Sequence, residues 1–174
     1  MRLNDKVAII TGAGRNIGEE IAKIIVDEGA KVAVVDLDKG RGETVAGEID
    51  AVHQGRAPPV VCDVSSGVDV ENMVKTVVQK WGGVDILVNN AAWTDHKNIF
   101  DLTEEEWDKV MGITLKSVFF CTKFAAKVMV DQKHKGRIIN IASTSGHWGR
   151  PEATAYTWAP SASLRNRRGR RNCF

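Results

Sequence analysis

Near the start of the chain, a short run of branched apolar residues leads through a glycine-rich turn directly into an amphipathic helix. The run is Lys6–Ile10, and its continuous apolar character predicts a strand that is buried on both faces of a sheet. Apolar residues then recur at positions 17, 21, 24 and 25, which is the spacing of one helix face. A strand that passes straight into a helix is typical of a βαβ unit, and this pattern sets the fold class.

The same alternation of strand and helix patterns continues along the chain. Further strands are predicted at Lys31–Val35, Val60–Cys62, Asp85–Val88 and Arg137–Ala142, and further helices at Gly40–Val52, Val68–Trp81 and Glu104–Val130. This alternation predicts an α/β fold with a doubly wound parallel sheet. Because crossovers between parallel strands are right-handed, the carboxyl ends of the strands meet at one edge, where a ligand would bind.

Length and composition narrow the functional classes. A chain of 174 residues with 43% hydrophobic and 26% charged residues suits one soluble domain. No run approaches the ~20 apolar residues of a membrane span, and no signal-peptide pattern is present, so a cytoplasmic protein is expected. The three cysteines lack C-x-x-C spacing and the four histidines lack ligand spacing. We therefore expect neither disulfides nor a metal site.

The last fourteen residues differ from the rest. Residues 161–174 hold five of the 24 basic residues and none of the 22 acidic ones, so residues 1–160 carry a net charge of about −3. A domain with that balance has no electrostatic reason to bind nucleic acid or acidic membranes. The segment 161–174 lacks apolar periodicity and is expected to be a disordered basic tail, as out-of-frame translation of a longer gene would produce. A basic arm for nucleic acid is the alternative.

The turn after the first strand, residues 11–18, has the spacing T-G-x-x-x-N-x-G. Glycines let the backbone approach a pyrophosphate, and a helix N-terminus offers free N–H groups to it. The G-x-G-x-x-G spacing fails because position 17 is isoleucine, and Asn16 stands where a glycine would be expected. Asparagine tolerates a left-handed backbone, so the turn can form. The candidate cofactor-binding residues of this turn are Gly12, Arg15, Asn16, Ile17 and Gly18.

Two aspartates end the second and third predicted strands. Asp36 lies eighteen residues after Gly18, where a carboxylate can accept hydrogen bonds from the adenosine ribose and repel a 2′-phosphate. This position favours NAD over NADP, although Arg15 acts weakly in the opposite direction; a solvated strand-end acid is the alternative. Asp63 could bind the adenine amino group, or it could cap the turn toward Ser65.

With these residues in place, the chain resembles the short-chain dehydrogenase/reductase family. The matching residues, in chain order, are Thr11–Gly18, Asp36, Asp63-Val64, Asn89-Asn90-Ala91-Ala92, Ser143 and Tyr156. The resemblance implies a Rossmann-type domain, usually in a homotetramer, that moves hydride between NAD(P) and a small carbonyl or alcohol substrate. It also adds Val64, Asn90 and Ala91 to the expected cofactor site.

The resemblance also assigns candidate catalytic residues. Ser143 would hydrogen-bond the substrate oxygen, and Tyr156 would give or take a proton as hydride moves. Thr114 occupies the position of the family's asparagine, which holds a water in the proton relay. The alternatives are a small strand-end residue for Ser143 and a helix-start aromatic for Tyr156. Substrates that remain open are sugar alcohols, 3-oxoacyl thioesters and small ketones. Trp93, His96, His147 and Trp148 follow strands four and five and could line the pocket; the alternative is that they are ordinary loop and core residues.

Pro160 stands four residues after Tyr156, where the family has a lysine. A phenol ordinarily has a pKa of about 10, and moving it to neutral pH takes roughly 4 kcal/mol, a large share of which the lysine ammonium supplies. Proline removes that charge, and in a helix its ring would clash with the carbonyl of Tyr156. We therefore expect an oxidoreductase by lineage with doubtful activity; the alternative is a non-catalytic NAD-binding or regulatory module.

Family members continue through this helix into another helix, two strands and a substrate-covering loop. We therefore expect a chain truncated or frameshifted after Tyr156, with a partial dinucleotide-binding domain over residues 1–160 and a sheet that is incomplete at the C-terminus. An unpaired sheet edge would favour aggregation. The helices of the family's main tetramer contact would be damaged or absent, which makes a homo-oligomer doubtful.

Overall fold

Five parallel strands form one sheet with the order β3-β2-β1-β4-β5 in the computed structural model, which describes residues 1–133 and 135–165. The strands are β1 (Val7–Thr11), β2 (Lys31–Asp36), β3 (Pro59–Val61), β4 (Ile86–Asn89) and β5 (Arg137–Asn140). Each predicted strand boundary lies within two residues of the observed one. The α/β prediction is confirmed, and the strand order is that of a Rossmann-type sheet.

Helices connect consecutive strands. The first three are α1 (Asn16–Asp27), α2 (Lys39–Asp50) and α3 (Gly67–Trp81); β4 is followed by α4 (Glu104–Met111), a π-helical turn (Gly112–Lys116) and α5 (Ser117–Asp131). These last three elements cover the single long helix predicted over Glu104–Val130. A 3-10 turn (Thr144–Gly146) and α6 (Thr154–Arg165) follow β5. The π-helical turn was not predicted, because one wide turn inside a helix leaves the apolar pattern almost unchanged.

The central strand β1 is buried along its whole length between two helical layers. Its neighbours are β2 and β4; Ile9, for example, is in register with Ala33 and Leu87. Ile9 and Leu87 lie in the core cluster shared with α3 and α5, whereas Ala8 and Ile10 lie in the cluster shared with α1 and α2. Burial on both faces explains why this strand is a continuous apolar run.

The last described helix, α6, passes through Pro160, which is buried, and continues to Arg165. It therefore extends five residues beyond the predicted domain boundary. The rest of the predicted basic tail, residues 166–174, lies outside the described residues, so the boundary at 160 stays a prediction. Among the residues that the structure describes, no helix is long and apolar enough to cross a bilayer.

Cys62 and Cys121 are free thiols in the core cluster between the sheet and α3/α5. Burial raises the pKa of each thiol to about 12. At pH 8, on the order of one such thiol in 10,000 is ionised, and the thiolate is the reactive form. We expect both cysteines to resist iodoacetamide at pH 8 in the native chain and to react fully in denaturant, as peptide mapping by mass spectrometry would measure. Rapid native labelling at either position would contradict the packing of this core.

Candidate functional site

Side-chain hydrogen bonds join the end of β1 to the end of β4. The Thr11 hydroxyl accepts from the backbone N–H groups of Asn90 (3.0 Å) and Ala91 (3.1 Å). The Asn90 side-chain nitrogen donates to the carbonyl oxygens of Thr11 (3.0 Å) and Gly12 (3.1 Å). Asn90 and Ala91, predicted from family resemblance alone, therefore lie directly against the glycine-rich turn.

The glycine-rich turn is closed by two close approaches that exclude larger residues. Gly12 has a φ of +64°, and a Cβ at this position would lie 2.9 Å from the Ala91 Cα atom. A Cβ on Gly18 would overlap the Gly12 carbonyl oxygen and lie 2.6 Å from the Asn90 side-chain nitrogen. Asn16 has a φ of +52°, the left-handed conformation for which asparagine is suited. The turn thus forms without glycine at position 16.

The N-terminus of α1 lacks the side-chain cap that the neighbouring helices have. Asp38, Ser66 and Thr103 cap α2, α3 and α4 by accepting from backbone N–H groups, whereas Arg15 at the start of α1 makes no such bond. Uncapped N–H groups at a helix N-terminus favour an anion. Ile17, beside them, is 61% exposed. This turn therefore fits the pyrophosphate of a dinucleotide, and Arg15 and Ile17 lie at its open side.

Asp36 ends β2 with its carboxylate over the turn. One oxygen accepts from the Gly14 N–H (2.9 Å) and the other from the Asp38 N–H (3.0 Å). The acid is thus held beside the residues that would contact a pyrophosphate, rather than being freely solvated. This geometry is compatible with the ribose-binding role predicted for it and adds a second role, that of holding the turn.

Asp63 follows β3 and makes the turn contact that the sequence left open. One carboxylate oxygen accepts from the Ser65 N–H (2.9 Å) and from its hydroxyl (2.7 Å). The predicted contact of Asp63 with adenine stays a prediction. Val64, the next residue, is 7% exposed, and its side chain belongs to the main core cluster. Any contribution of Val64 to a cofactor site is therefore limited to its backbone.

Ser143 and Tyr156 lie on segments that pack against each other. Ser143 caps the 3-10 turn, since its hydroxyl accepts from the Ser145 N–H at 3.2 Å. Tyr156 is half-buried in the first turn of α6, and α6 packs against both this 3-10 turn and the π-helical turn. The fold therefore brings together the three segments that carry the predicted catalytic residues Ser143, Tyr156 and Thr114.

Thr114 lies at the centre of the π-helical turn and binds the loop after β4. Its hydroxyl accepts from the Trp93 N–H (3.1 Å) and donates to the Trp93 carbonyl oxygen (3.0 Å). These two bonds use the one donor and one of the two acceptor positions of the hydroxyl. The structure therefore gives Thr114 a bracing contact that the sequence did not predict, while a relay role through its side chain stays a prediction.

Asp95 is a buried carboxylate that sequence reasoning missed. It is 3% exposed, and it accepts from the backbone N–H of Tyr156 (2.9 Å) and of Ala155 (3.4 Å). It therefore caps α6 from a loop about sixty residues earlier in the chain. No local signal marks Asp95 as a cap, because a helix cap ordinarily immediately precedes its helix.

The aromatic and histidine candidates for the pocket have different surroundings. Trp93 packs against a small cluster around Val110, Ala155 and Ala159, and the Lys109 ammonium lies 4.3 Å from the centre of its ring. Trp148 is 77% exposed. His96 lines a cavity of about 310 Å³ together with Gly149, Arg150, Pro151, Glu152 and Ala153. Within the described ranges, no group of three or more potential metal ligands lies together.

A parallel sheet with a glycine turn at its switch point is the architecture of a Rossmann-type α/β fold. The family model for short chain dehydrogenase matches residues 6–163. The chain belongs to the short-chain dehydrogenase/reductase family, as the sequence predicted.

Individual proteins are similar to this chain over most of its length. The chain is 41% identical over 164 residues to galactitol 2-dehydrogenase of Agrobacterium fabrum, covering 94% of this chain and 62% of that protein. It is 34% identical over 178 residues to the 3-oxoacyl-[acyl-carrier-protein] reductase FabG of Thermotoga maritima. This match covers 95% of this chain and 72% of that protein. A short-chain dehydrogenase/reductase from Burkholderia phymatum, solved in complex with NAD, superimposes with a TM-score of 0.91 at 26% identity. The superposition covers 95% of this chain and 59% of that protein.

Substitution of Gly18 tests the turn. Because the new Cβ would overlap the Gly12 carbonyl, we expect Gly18→Ala to lower the free energy of unfolding by about 1–3 kcal/mol and to weaken NADH binding at least roughly 10-fold. The measurements are chemical denaturation and NADH fluorescence.

The matched control is Gly47→Ala in α2. Nothing lies within 4 Å of a Cβ added there, so stability should rise by up to about 1 kcal/mol with unchanged NADH binding. Equal stability and equal NADH affinity of the two variants would show that neither folding nor NADH binding requires the close approach at Gly18.

Proposed function

We propose that this protein is an NAD-dependent oxidoreductase by lineage, of the type that interconverts a carbonyl and an alcohol, with weak turnover in this chain because Pro160 replaces the family's lysine. The observation that carries the proposal is the convergence at one sheet edge. The glycine turn, the Asp36 carboxylate and the segments bearing Ser143 and Tyr156 all follow the carboxyl ends of strands. In such sheets, ligands bind at that edge.

The cofactor would be held by the turn at residues 12–18 and by Asp36. The N–H groups at the start of α1 would bind the pyrophosphate, and the Asp36 carboxylate would accept from the ribose hydroxyls. A 2′-phosphate would be repelled by Asp36 and by Asp38, two residues further on, so NAD is favoured over NADP. When bound, the nicotinamide supplies the chemistry of hydride transfer.

Tyr156 and Ser143 would perform the proton chemistry. The Ser143 hydroxyl would hydrogen-bond the substrate oxygen, and the Tyr156 phenol would donate a proton to that oxygen during reduction or accept it during oxidation. A positioned acid contributes only if it ionises near the operating pH. The ammonium at position 160 that would help the phenol do so is replaced by an uncharged ring.

For the substrate, we propose a polyhydroxylated compound. The relative at 41% identity is named for galactitol, whereas the one at 34% identity is named for a 3-oxoacyl thioester. The cavity beside His96 is lined by the charged side chains of Arg150 and Glu152, which suit hydroxyl groups better than an acyl chain. Oxidation of a hexitol with NAD and reduction of a 3-oxoacyl thioester with NADH distinguish the two classes.

A second candidate function is a non-catalytic NAD-binding module, and Pro160 is the observation that favours it. Such a module would use the glycine-rich turn to bind NAD and would require no proton transfer. It predicts NADH fluorescence enhancement with micromolar affinity and turnover no faster than that of Tyr156→Phe.

Restoring the lysine tests the enzymatic proposal. We expect Pro160→Lys to raise turnover on the order of 100-fold, because the ammonium favours the ionised phenol. Turnover is followed at 340 nm with a hexitol and NAD.

Two control variants separate charge from helix geometry. Pro160→Met removes the proline without adding a charge, and Tyr156→Phe in the Pro160→Lys chain removes the proton donor. We expect low turnover from both. Equal turnover of Pro160→Met and Pro160→Lys would show that the helix, and not the charge, limits activity; undiminished turnover without the phenol would overturn the proposed function.

Cofactor selectivity is tested at Asp36. Removing its negative charge should raise the preference for NADPH relative to NADH by roughly 10-fold, which corresponds to about 1.4 kcal/mol. Asp36→Asn is the sharper variant, because its side-chain oxygen can still accept from Gly14 N–H, whereas Asp36→Ala also frees the turn. Affinities for both dinucleotides are measured by fluorescence. An unchanged ratio in both variants would contradict a selective role for the carboxylate.

A further inference from the structure

Asp95 connects the loop after β4 to the helix that carries Tyr156. Its carboxylate is buried and accepts from the backbone N–H groups of Tyr156 and Ala155, at 2.9 and 3.4 Å. A carboxylate at a helix N-terminus is stabilised by the exposed N–H groups and by the helix dipole. The contact therefore holds the backbone of the residue whose phenol is proposed to transfer the proton.

The loop around Asp95 is itself held at both ends. On one side, Thr114 bonds the N–H and the carbonyl of Trp93. On the other, the Thr154 hydroxyl donates to the Lys97 carbonyl at 3.3 Å, and the Lys97 ammonium pairs with Glu106 at 2.8 Å. The Lys97 contact lowers the pKa of Glu106. Residues 93–97, the bridging segment, thus join the π-helical turn and α4 to the first turn of α6.

We propose that Asp95 is a positioning residue for Tyr156. The inference rests on the proposed function, in that Tyr156 is taken as the proton-transferring group. Through its two hydrogen bonds, Asp95 sets where the first turn of α6 lies relative to the bridging segment and the π-helical turn. Loss of these bonds would let the tyrosine backbone move, and a misplacement of about 1 Å can cost on the order of 100-fold in rate.

The first test observes Tyr156 directly in the full chain. Because the chain has one tyrosine, labelling with ¹³Cζ-tyrosine gives one NMR signal that reports its surroundings. We expect Asp95→Ala to shift or split that signal. Asp95→Asn keeps an oxygen that can accept from the Tyr156 N–H, and we expect it to restore the parent signal. An unchanged signal in Asp95→Ala, or a failure of Asp95→Asn to restore it, would overturn the inference.

The control is Thr103→Ala, which removes the cap of α4 by deleting the hydroxyl that accepts from the Glu106 N–H at 3.2 Å. We expect it to lower the melting temperature about as much as Asp95→Ala while leaving the tyrosine signal in place. If Asp95→Ala does not fold, Asp95→Glu is measured instead, because it keeps the charge but moves the carboxylate by one methylene. A parent-like signal in a folded Asp95→Glu would then count against positioning by Asp95.

The second test measures turnover in the Pro160→Lys chain. We expect Asp95→Ala to lower kcat on the order of 10- to 100-fold with NADH affinity unchanged within about twofold, and Asp95→Asn to recover most of the loss. The two proposals fail in different ways: turnover that survives Tyr156→Phe overturns the proposed function, whereas turnover that survives Asp95→Ala overturns the positioning role. If Pro160→Lys shows no turnover, the NMR result decides the role of Asp95.

Discussion

The hydrogen bonds between Thr11 and the Asn90–Ala91 backbone hold the ends of β1 and β4 together, and the geometry of the glycine-rich turn depends on them. Parallel strands pair along their length, but beyond the last backbone hydrogen bond of the ladder nothing in the sheet itself keeps the two strands in contact. The Asn90 side chain continues the contact by donating to the Thr11 and Gly12 carbonyls. Gly12 can then take its left-handed conformation against Ala91, and Gly18 can start α1 at close range.

Local sequence rules predicted the parts of the fold that depend on local interactions. Burial on both faces gives β1 its continuous apolar run, and Gly29, at a φ of +96°, follows the end of α1, where glycine is commonly found. The turn at Asn16 was predicted because asparagine is one of the few residues with a Cβ that tolerate a left-handed backbone. Strand order and register do not follow from such rules. Here the family resemblance supplied the expectation of a Rossmann-type sheet, and the observed order agrees with it.

What the sequence did not predict are the contacts between residues far apart in the chain. Thr114 and Trp93 are 21 positions apart, and Asp95 and Tyr156 are 61 positions apart. In the sequence, Thr114 is one polar residue within a long helix pattern, and Asp95 is one acid in a polar loop. Their partners are backbone groups, which any residue type provides, so no side-chain pattern identifies them. The only signal in the sequence is indirect: two residues of good hydrogen-bonding capacity near segments that the resemblance places at the site.

These long-range contacts also bear on what Pro160 changes. Proline cannot donate to the carbonyl of Tyr156, yet α6 continues through it, and Pro160 and Ala159 are buried. The start of α6 is held by the hydrogen bonds to Asp95 and by the packing of Ala155 on Val110. The backbone of Tyr156 is thus fixed from the N-terminal side, by contacts that a substitution one turn later leaves in place. If Tyr156 transfers the proton as proposed, the group missing at position 160 is an ammonium charge, which helix packing cannot supply.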